Sequence, residues 1–425
     1  MRLADSDERE SGDQRDAAIV VVGAGQSGFQ VAASLRDNGH RGRIVLIGEE
    51  RGLPYQRPPL SKAYLTGKAD EAALRLRSES FYAERGIELR AAERAVAIDR
   101  VSRRVCLGSG AELAYGHLVL ATGSRNRPLP VPGAELDGVF QLRTLADAEA
   151  LRSRLAGLRR AVVVGAGFIG LEFAAVAASL GIAVTVLEAR SRPMSRMVSG
   201  AVSDFFGDAH AGMGVRLEFG AVATRILRSA GRATGVETAD GREVAAELVL
   251  VGIGVVPNDE LAAAAGLAVS DGVVVDAHLR TSDPRISAIG DCARFPDPVS
   301  GGLVRLESVQ NGVDQARCVA ARLCGGLERY AAVPWFWSDQ GPYKLQIAGL
   351  GDGSDGSVLR GKPSSGAFSV FRYRDDRLVS VESVNRPADH MLARRLLASG
   401  TPLQPEHAAD LSVDLKALWA ALAAA

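Results

Sequence analysis

Two near-copies of one glycine-rich stretch, IVVVGAGQSGFQ (Ile19–Gln30) and AVVVGAGFIGLE (Ala161–Glu172), constrain the fold of this chain more than any other feature. Each follows a short, unalternated apolar run, the pattern of a strand buried on both faces of a parallel sheet. Each leads into a helix-like segment, FQVAASLRDNG or LEFAAVAASLG, that stops at a glycine. A second strand follows in both cases, RIVLIGEE or AVTVLEAR. In Gly23-x-Gly25-x-x-Gly28 and Gly165-x-Gly167-x-x-Gly170 the first glycine makes the tight turn and the second admits a pyrophosphate to the backbone. The third lets helix and strand pack closely, and the helix N-terminus, opened by Gln26 and Ser27 or by Phe168 and Ile169, faces the phosphates. An acid stands about twenty residues on, where ribose binding expects one. It is Glu49 or its neighbour Glu50 in the first copy and Glu188 in the second. Two Rossmann-type units make this an α/β chain with two dinucleotide sites. A flavin held permanently by one and a nicotinamide held transiently by the other accounts for both.

With 425 residues there is room for two or three domains. Fifty basic and fifty acidic residues leave no overall basic footprint for nucleic acid. No apolar run reaches the ~18 residues of a membrane span. The N-terminal MRLADSDERESGDQRD lacks the apolar core of a signal peptide, so residues 1–16 are expected to be a disordered tail. The closing ALWAALAAA is expected to be a loose helical end, a tail over 416–425. Cys106, Cys292, Cys318 and Cys324 show no paired spacing, which points to reduced thiols in a cytoplasmic protein and to no metal site.

Other segments carry a resemblance. They are LPYQRPPLSKAYL (Leu53–Leu65), HLVLATGSRNR, TSDPRISAIGDCA, RLESVQNGVDQA (Arg305–Ala316), PWFWSDQ (Pro334–Gln340) and VESVNRPADHMLARRLL (Val381–Leu397). On these the chain resembles the flavoprotein disulfide-reductase superfamily. Within it, the chain is similar to the NADH-dependent ferredoxin reductases of bacterial oxygenase systems, from about Ala17 to Leu415. The resemblance implies an FAD domain split into 17–125 and 253–331, an NAD-binding domain over 126–252, and a C-terminal α+β domain over 332–415. It assigns Ala121-Thr122-Gly123 to the close of the first FAD segment and Asp291 to the flavin's ribityl chain. Gly254 lies near the return crossing, in ELVLVGIGVVPN. Backbone N–H groups around Val309 and Gln310 would hold the flavin's pyrimidine end, Arg57 its pyrophosphate or adenine side, and Trp337 its exposed edge. From the residues alone Lys62 and Glu172 are a surface lysine and a solvated helix acid; the resemblance pairs them, with Lys62 near flavin N5 and Glu172 seating the nicotinamide.

Disulfide reductases carry a C-x4-C dithiol in the region where this chain has RPPLSK, and no cysteine precedes Cys106. Thiol chemistry is thereby excluded, and electrons must pass from flavin directly to a partner. The resemblance implies an acidic 2Fe-2S ferredoxin that supplies a haem-thiolate monooxygenase, met by a monomeric reductase through Arg305, Arg317 and Lys344. Glu188 favours NADH over NADPH by repelling a 2′-phosphate, although Arg190 and Arg192 stand close by. Three alternatives share the two cradles. They are an NADH oxidase or small-acceptor reductase, the reductase of a ring-hydroxylating dioxygenase, and a redox-sensing binding protein.

Overall fold

A computed structural model describes residues 17–297 and 301–424, so the expected tail over 1–16 lies outside the described residues. The chain divides into two compact units. The first comprises the chain up to Gln56 with Glu71–Arg125 and Val256–Ala332, and the second Arg57–Asp70, Asn126–Val255 and Val333–Ala425.

The first unit is built on a five-stranded parallel sheet. Its order is Ile286–Ala288, His117–Leu120, Ile19–Val22, Ile44–Ile47, Ile87–Arg90. Val21 lies beside Leu46 on one side and Val119 on the other. The three central strands are buried at every residue, which is why their sequences run apolar without alternation. Strand order reverses between Ile19–Val22 and its neighbour His117–Leu120, the switch point at which open α/β sheets bind ligands. Helices Gln26–Asp37 and Val309–Leu323 pack against each other, and Val31, Leu35, Ala316 and Val319 enter the same core as the strands.

In the second unit the parallel order is Arg216–Phe219, Ala183–Glu188, Arg160–Val164, Leu248–Val251, Val139–Phe140. Val163 sits between Val186 and Leu250, the counterpart of Val21 in the other sheet. The segment expected as a return strand, ELVLVGIGVVPN, thus supplies a central strand of this sheet through Leu248–Val251.

The C-terminal part of the second unit is a five-stranded antiparallel sheet ordered Trp335–Gln340, Tyr343–Gly349, Arg377–Val384, Ala367–Arg374, Gly356–Lys362. The RDDR turn expected from sequence joins two of these strands, with Asp375 at φ 48° and Asp376 at φ 59°, the two left-handed residues of a tight hairpin. Helix Pro387–Ser399 begins at a proline, ends before Gly400 at φ 65°, and packs on the sheet.

Two expectations are corrected. Residues 57–70 do not group with 17–125, because their polar contacts run to Arg143, Glu149 and Glu172 in the second unit. The C-terminal segment has the sheet of its own expected for 332–415, and it groups with the NAD-binding segment in the second unit through hydrogen bonds such as Ser199 Oγ to Glu382. The closing segment is helical as expected, but its start is not loose: in helix Leu415–Ala424, Leu415, Leu418 and Trp419 pack with Leu392 and Leu396.

Candidate active site

In the first cradle Gly23 has φ 110°, and a Cβ there would lie 2.1 Å from the carbonyl oxygen of Ala121. A Cβ on Gly28 would lie 1.8 Å from the carbonyl oxygen of Gly23. Both positions are closed to any side chain. At Gly25 a Cβ would meet nothing within 4 Å, so the glycine there leaves open space above the backbone. Gly25 caps helix Gln26–Asp37, whose first turn carries no acid and no side-chain cap. An uncapped helix N-terminus beside an open glycine fits an anionic pyrophosphate.

The rest of the first cradle comes from distant segments. Thr122 Oγ1 donates to the Asn258 carbonyl at 2.6 Å, Asn258 Nδ2 to the Thr122 carbonyl at 2.9 Å, and the Asn258 N–H to the Gly123 carbonyl at 2.9 Å. This clamp fixes the Ala121-Thr122-Gly123 turn. Ser124 Oγ donates to Asp291 at 2.8 Å, and Gly290, at φ 75°, gives its N–H to Gln315 Oε1 at 2.7 Å. Ser27 sits where a Cβ on Gly290 or Gly312 would be, at 2.5 and 2.3 Å from its Oγ. Val309 and Gln310 open helix Val309–Leu323, capped by Ser308. Glu49 is largely exposed, 3.7 Å from Arg94, while Glu50 accepts from the Tyr55 hydroxyl.

The second cradle repeats the geometry. Gly165 has φ 103°, and a Cβ on it would lie 2.5 Å from the Gly252 carbonyl oxygen; one on Gly170 would lie 2.3 Å from that of Gly165. Gly167 meets only an ordinary contact at 3.7 Å, and it caps helix Phe168–Ser179 without a side-chain cap. Glu188 ends its strand with its carboxylate accepting the N–H of Ala166 at 2.7 Å and of Arg190 at 2.9 Å. It is therefore held against the turn of the cradle. Arg192 is spent on the carbonyls of Ser195, Val198 and Ser199, at 3.0, 3.1 and 3.3 Å. Gly254 has φ 101° and lies near the Arg196 guanidinium, and Phe168 packs on Phe336 with ring centroids 4.5 Å apart.

At the mouth of this second helix stands the pair that the resemblance implied. Lys62 Nζ lies 2.7 Å from Glu172 Oε2 and 3.0 Å from the Pro58 carbonyl oxygen. Pro58 and Pro59 open a one-turn 3-10 helix, Pro58–Ser61, which delivers Lys62 at its end. Glu172 also accepts from Ser61 Oγ at 2.5 Å and from Ser338 Oγ at 2.7 Å. A nearly buried carboxylate with three donors is fully paired, which is the condition for keeping its charge out of water. Arg57 is fixed by a bond to the Arg143 carbonyl at 2.6 Å.

Ser338 belongs to strand Trp335–Gln340, where alternation sorts the side chains. Phe336, Ser338 and Gln340 meet Phe168, Glu172 and His210, respectively. Trp337 is half-buried on the opposite side, its ring 5.6 Å from that of Trp335. Ser61, Ser338, Gln340, His210 and Asn258 were not singled out from the sequence. Ser61, Ser338 and Gln340 do lie inside stretches quoted for the resemblance, and Asn258 ends ELVLVGIGVVPN.

Of the three basic residues expected to meet a partner, Arg305 is corrected. Only 10% of its side chain is exposed, between Glu307 at 2.9 Å and Asp271 at 3.4 Å, and it donates to the Asp291 carbonyl. A guanidinium neutralised twice and buried offers no free charge to a docking protein. Arg317 and Lys344 are exposed, with carboxylates at 3.5 and 3.7 Å. Among the described residues no cluster of His, Cys, Asp and Glu could hold a metal ion, and no helix is long and apolar enough to cross a membrane. All four cysteines are free thiols.

Known proteins share this arrangement over nearly their whole length. Rhodocoxin reductase from Rhodococcus erythropolis is 53% identical over 94% of this chain and 93% of its own. The crystal structure of the ferredoxin reductase for the CYP199A2 system from Rhodopseudomonas palustris superposes with a TM-score of 0.93 at 52% identity, covering 94% of this chain and 99% of that one. The covalent putidaredoxin reductase–putidaredoxin complex matches with a TM-score of 0.94 at 42% identity, over 96% and 99% of the two chains. Residues 335–419 match the reductase C-terminal family. With its two cradles inside the 17–316 segment matched by that family's pattern, the chain belongs to the pyridine nucleotide-disulphide oxidoreductase family.

Proposed function

We propose that this chain is an FAD-dependent NADH:ferredoxin oxidoreductase, working as a cytoplasmic monomer, whose 2Fe-2S ferredoxin supplies a haem-thiolate monooxygenase. The observation that carries this reading is the Lys62–Glu172 pair. It closes a Pro-Pro-Leu-Ser-Lys turn in the region where the disulfide-reducing relatives carry a reactive dithiol. Bound NADH supplies a hydride and bound FAD turns the pair of electrons into single ones.

Every other task falls to side chains and backbone of this chain. Gly25 and Gly167 admit the two pyrophosphates, and the N–H groups of Gln26, Ser27, Phe168 and Ile169 meet their charge. Glu49 and Glu188 accept the adenosine ribose hydroxyls. Asp291, held by Ser124, takes a hydroxyl of the ribityl chain, and Val309 and Gln310 present N–H groups to the flavin's pyrimidine end. Lys62, fixed by Glu172 and the Pro58 carbonyl, would supply a positive charge to the flavin site. Trp337 would cover the ring's edge, and Arg57, held by the Arg143 carbonyl, would meet the FAD pyrophosphate or adenine side. Arg317 and Lys344 steer an acidic partner.

NADH is favoured because Glu188, held against the turn of the second cradle, would repel a 2′-phosphate while Arg192 is already committed to three carbonyls. The terminal oxygenase is tested by reconstitution with one 2Fe-2S ferredoxin and either a haem-thiolate monooxygenase or a ring-hydroxylating dioxygenase. NADH-dependent product from the first alone supports the proposal. Product from the second alone reassigns the system.

A further inference from the structure

Behind Glu172 a line of buried polar side chains continues away from Lys62. Ser338 Oγ lies 2.7 Å from Glu172 Oε1, Gln340 Nε2 lies 3.2 Å from Ser338 Oγ, and Gln340 Oε1 lies 2.9 Å from His210 Nε2. Ser338, Gln340 and His210 are fully buried, and Glu172 is 3% exposed. At the far end, His210 Nδ1 is buried with no hydrogen-bond partner among the described residues. Gln340 Nε2 also reaches the Met194 sulfur at 3.4 Å. Gly341, at φ 59°, closes the strand where a Cβ would lie 2.4 Å from the Met213 sulfur, next to the helix that bears His210.

The charge on Glu172 determines how every proton in this line is placed. A carboxylate only accepts, so the Ser338 hydroxyl must spend its proton on it. The Ser338 oxygen then accepts, which turns the amide nitrogen of Gln340 toward it and the amide oxygen toward His210. The imidazole must therefore donate from Nε2 and leave Nδ1 bare. Bare Nδ1 is the nitrogen without a partner. Burial pushes the His210 imidazole below the usual histidine range, partly offset by Gln340, which keeps the ring neutral with one proton to place. Had the amide been reversed, Ser338 would donate to Gln340, and Glu172 Oε1 would lose its bond.

We propose that His210, Gln340 and Ser338 form a one-way hydrogen-bond chain that positions the Glu172 carboxylate, and through it Lys62, for the reaction. This rests on the reading of Lys62 and Glu172 given above. Lys62 and Ser61 both hold Oε2, while Ser338 holds Oε1. The chain thus fixes the rotation of the carboxylate that the Lys62 side alone would leave loose. It also ties the second cradle's helix to the C-terminal sheet and to helix Gly200–Gly212 by polar bonds that are satisfied in only one direction.

Two readouts test it on the FAD-loaded protein. Nitrogen-15 NMR of histidine-labelled protein is expected to show His210 as the neutral Nε2–H tautomer; an Nδ1–H tautomer overturns the proposal without any variant. Stopped-flow reduction of the flavin by NADH is then followed in Ser338→Ala, Ser338→Thr and Gln340→Met. Ser338→Ala and Gln340→Met are expected to slow reduction about tenfold with the NADH Kd little changed, as misplacement of a charged group does. Ser338→Thr, which keeps the hydroxyl, is expected to stay within about twofold. Glu172→Gln separates the two levels. If it is slow while Ser338→Ala and Gln340→Met run at the wild-type rate, the chain fails alone. If Glu172→Gln itself runs at the wild-type rate, the reading of the pair falls and the chain's part in the reaction falls with it.

Discussion

Lys62 and Glu172 share an ion pair of 2.7 Å in which the acid keeps 4% of its side chain exposed and the lysine 21%. The asymmetry divides their work. Glu172 is locked by three donors inside the protein, whereas Lys62 presents a cation at the edge of that lock and can meet an anion arriving from outside.

Replacing Lys62 by alanine is therefore expected to slow flavin reduction by NADH roughly tenfold to a hundredfold. The NADH Kd is expected to change far less, because nothing in the second cradle is lost. Stopped-flow traces over a range of NADH concentrations separate the two quantities. Unchanged reduction would remove Lys62 from the mechanism.

Glu188 ends its strand bonded to the N–H groups of Ala166 and Arg190. Glu188→Gln keeps an oxygen for one of those bonds, gives up the other, and loses the charge that repels a 2′-phosphate. The ratio of kcat/KM for NADH to that for NADPH is expected to drop about tenfold. Equal discrimination in variant and wild type would show that the acid is not the selector.

The glycines of the first cradle are expected to separate fold from cofactor. A Cβ at Gly28 collides with the Gly23 carbonyl at 1.8 Å, whereas one at Gly25 meets nothing. Gly28→Ala is expected to cost about 3 kcal/mol or more of stability through overpacking. Gly25→Ala is expected to keep a wild-type circular dichroism spectrum while losing FAD on gel filtration, read as flavin absorbance per chain. Full FAD retention by Gly25→Ala would place the pyrophosphate elsewhere.

How much of this was legible in the sequence follows from how local each signal is. The cradles were readable because strand, turn and helix lie within one stretch of chain, and the RDDR turn because a two-residue hairpin is a local event. The Lys62–Glu172 pair spans 110 residues and came only through resemblance. Ser338 is 166 residues from Glu172, and Gln340 is 130 from His210. No periodicity marks polar residues that alternate into a buried seam, so sequence left them unread. Arg305 misled because a charge in sequence shows neither its burial nor the two carboxylates that neutralise it. Residues 57–70 misled because chain continuity with the first unit says nothing about which unit their side chains bind.

His390 is buried beneath Trp335 with both ring nitrogens unpartnered. Burial, with Arg394 nearby, lowers its pKa to about 4. In the unfolded chain it protonates near the ordinary histidine value of about 6.5. Between those values the unfolded state binds the proton and the native state does not, so this contribution to stability is present above pH 6.5 and lost as pH falls toward 4. At pH 5 the loss is about 2 kcal/mol. A His390→Leu variant, unable to take up that proton, is expected to lose correspondingly less stability between pH 7 and pH 5. Denaturant unfolding at the two pH values measures the difference; identical pH dependence in both proteins would contradict it.

The most direct measurement is NADH-driven reduction of a panel of 2Fe-2S ferredoxins, run beside oxygen and disulfide acceptors under one set of conditions. Rapid reduction of a ferredoxin, with little oxygen or disulfide turnover, is the expected result. If no ferredoxin is reduced while oxygen or another small acceptor is, both cradles stand but the role as a carrier of electrons to ferredoxin is wrong.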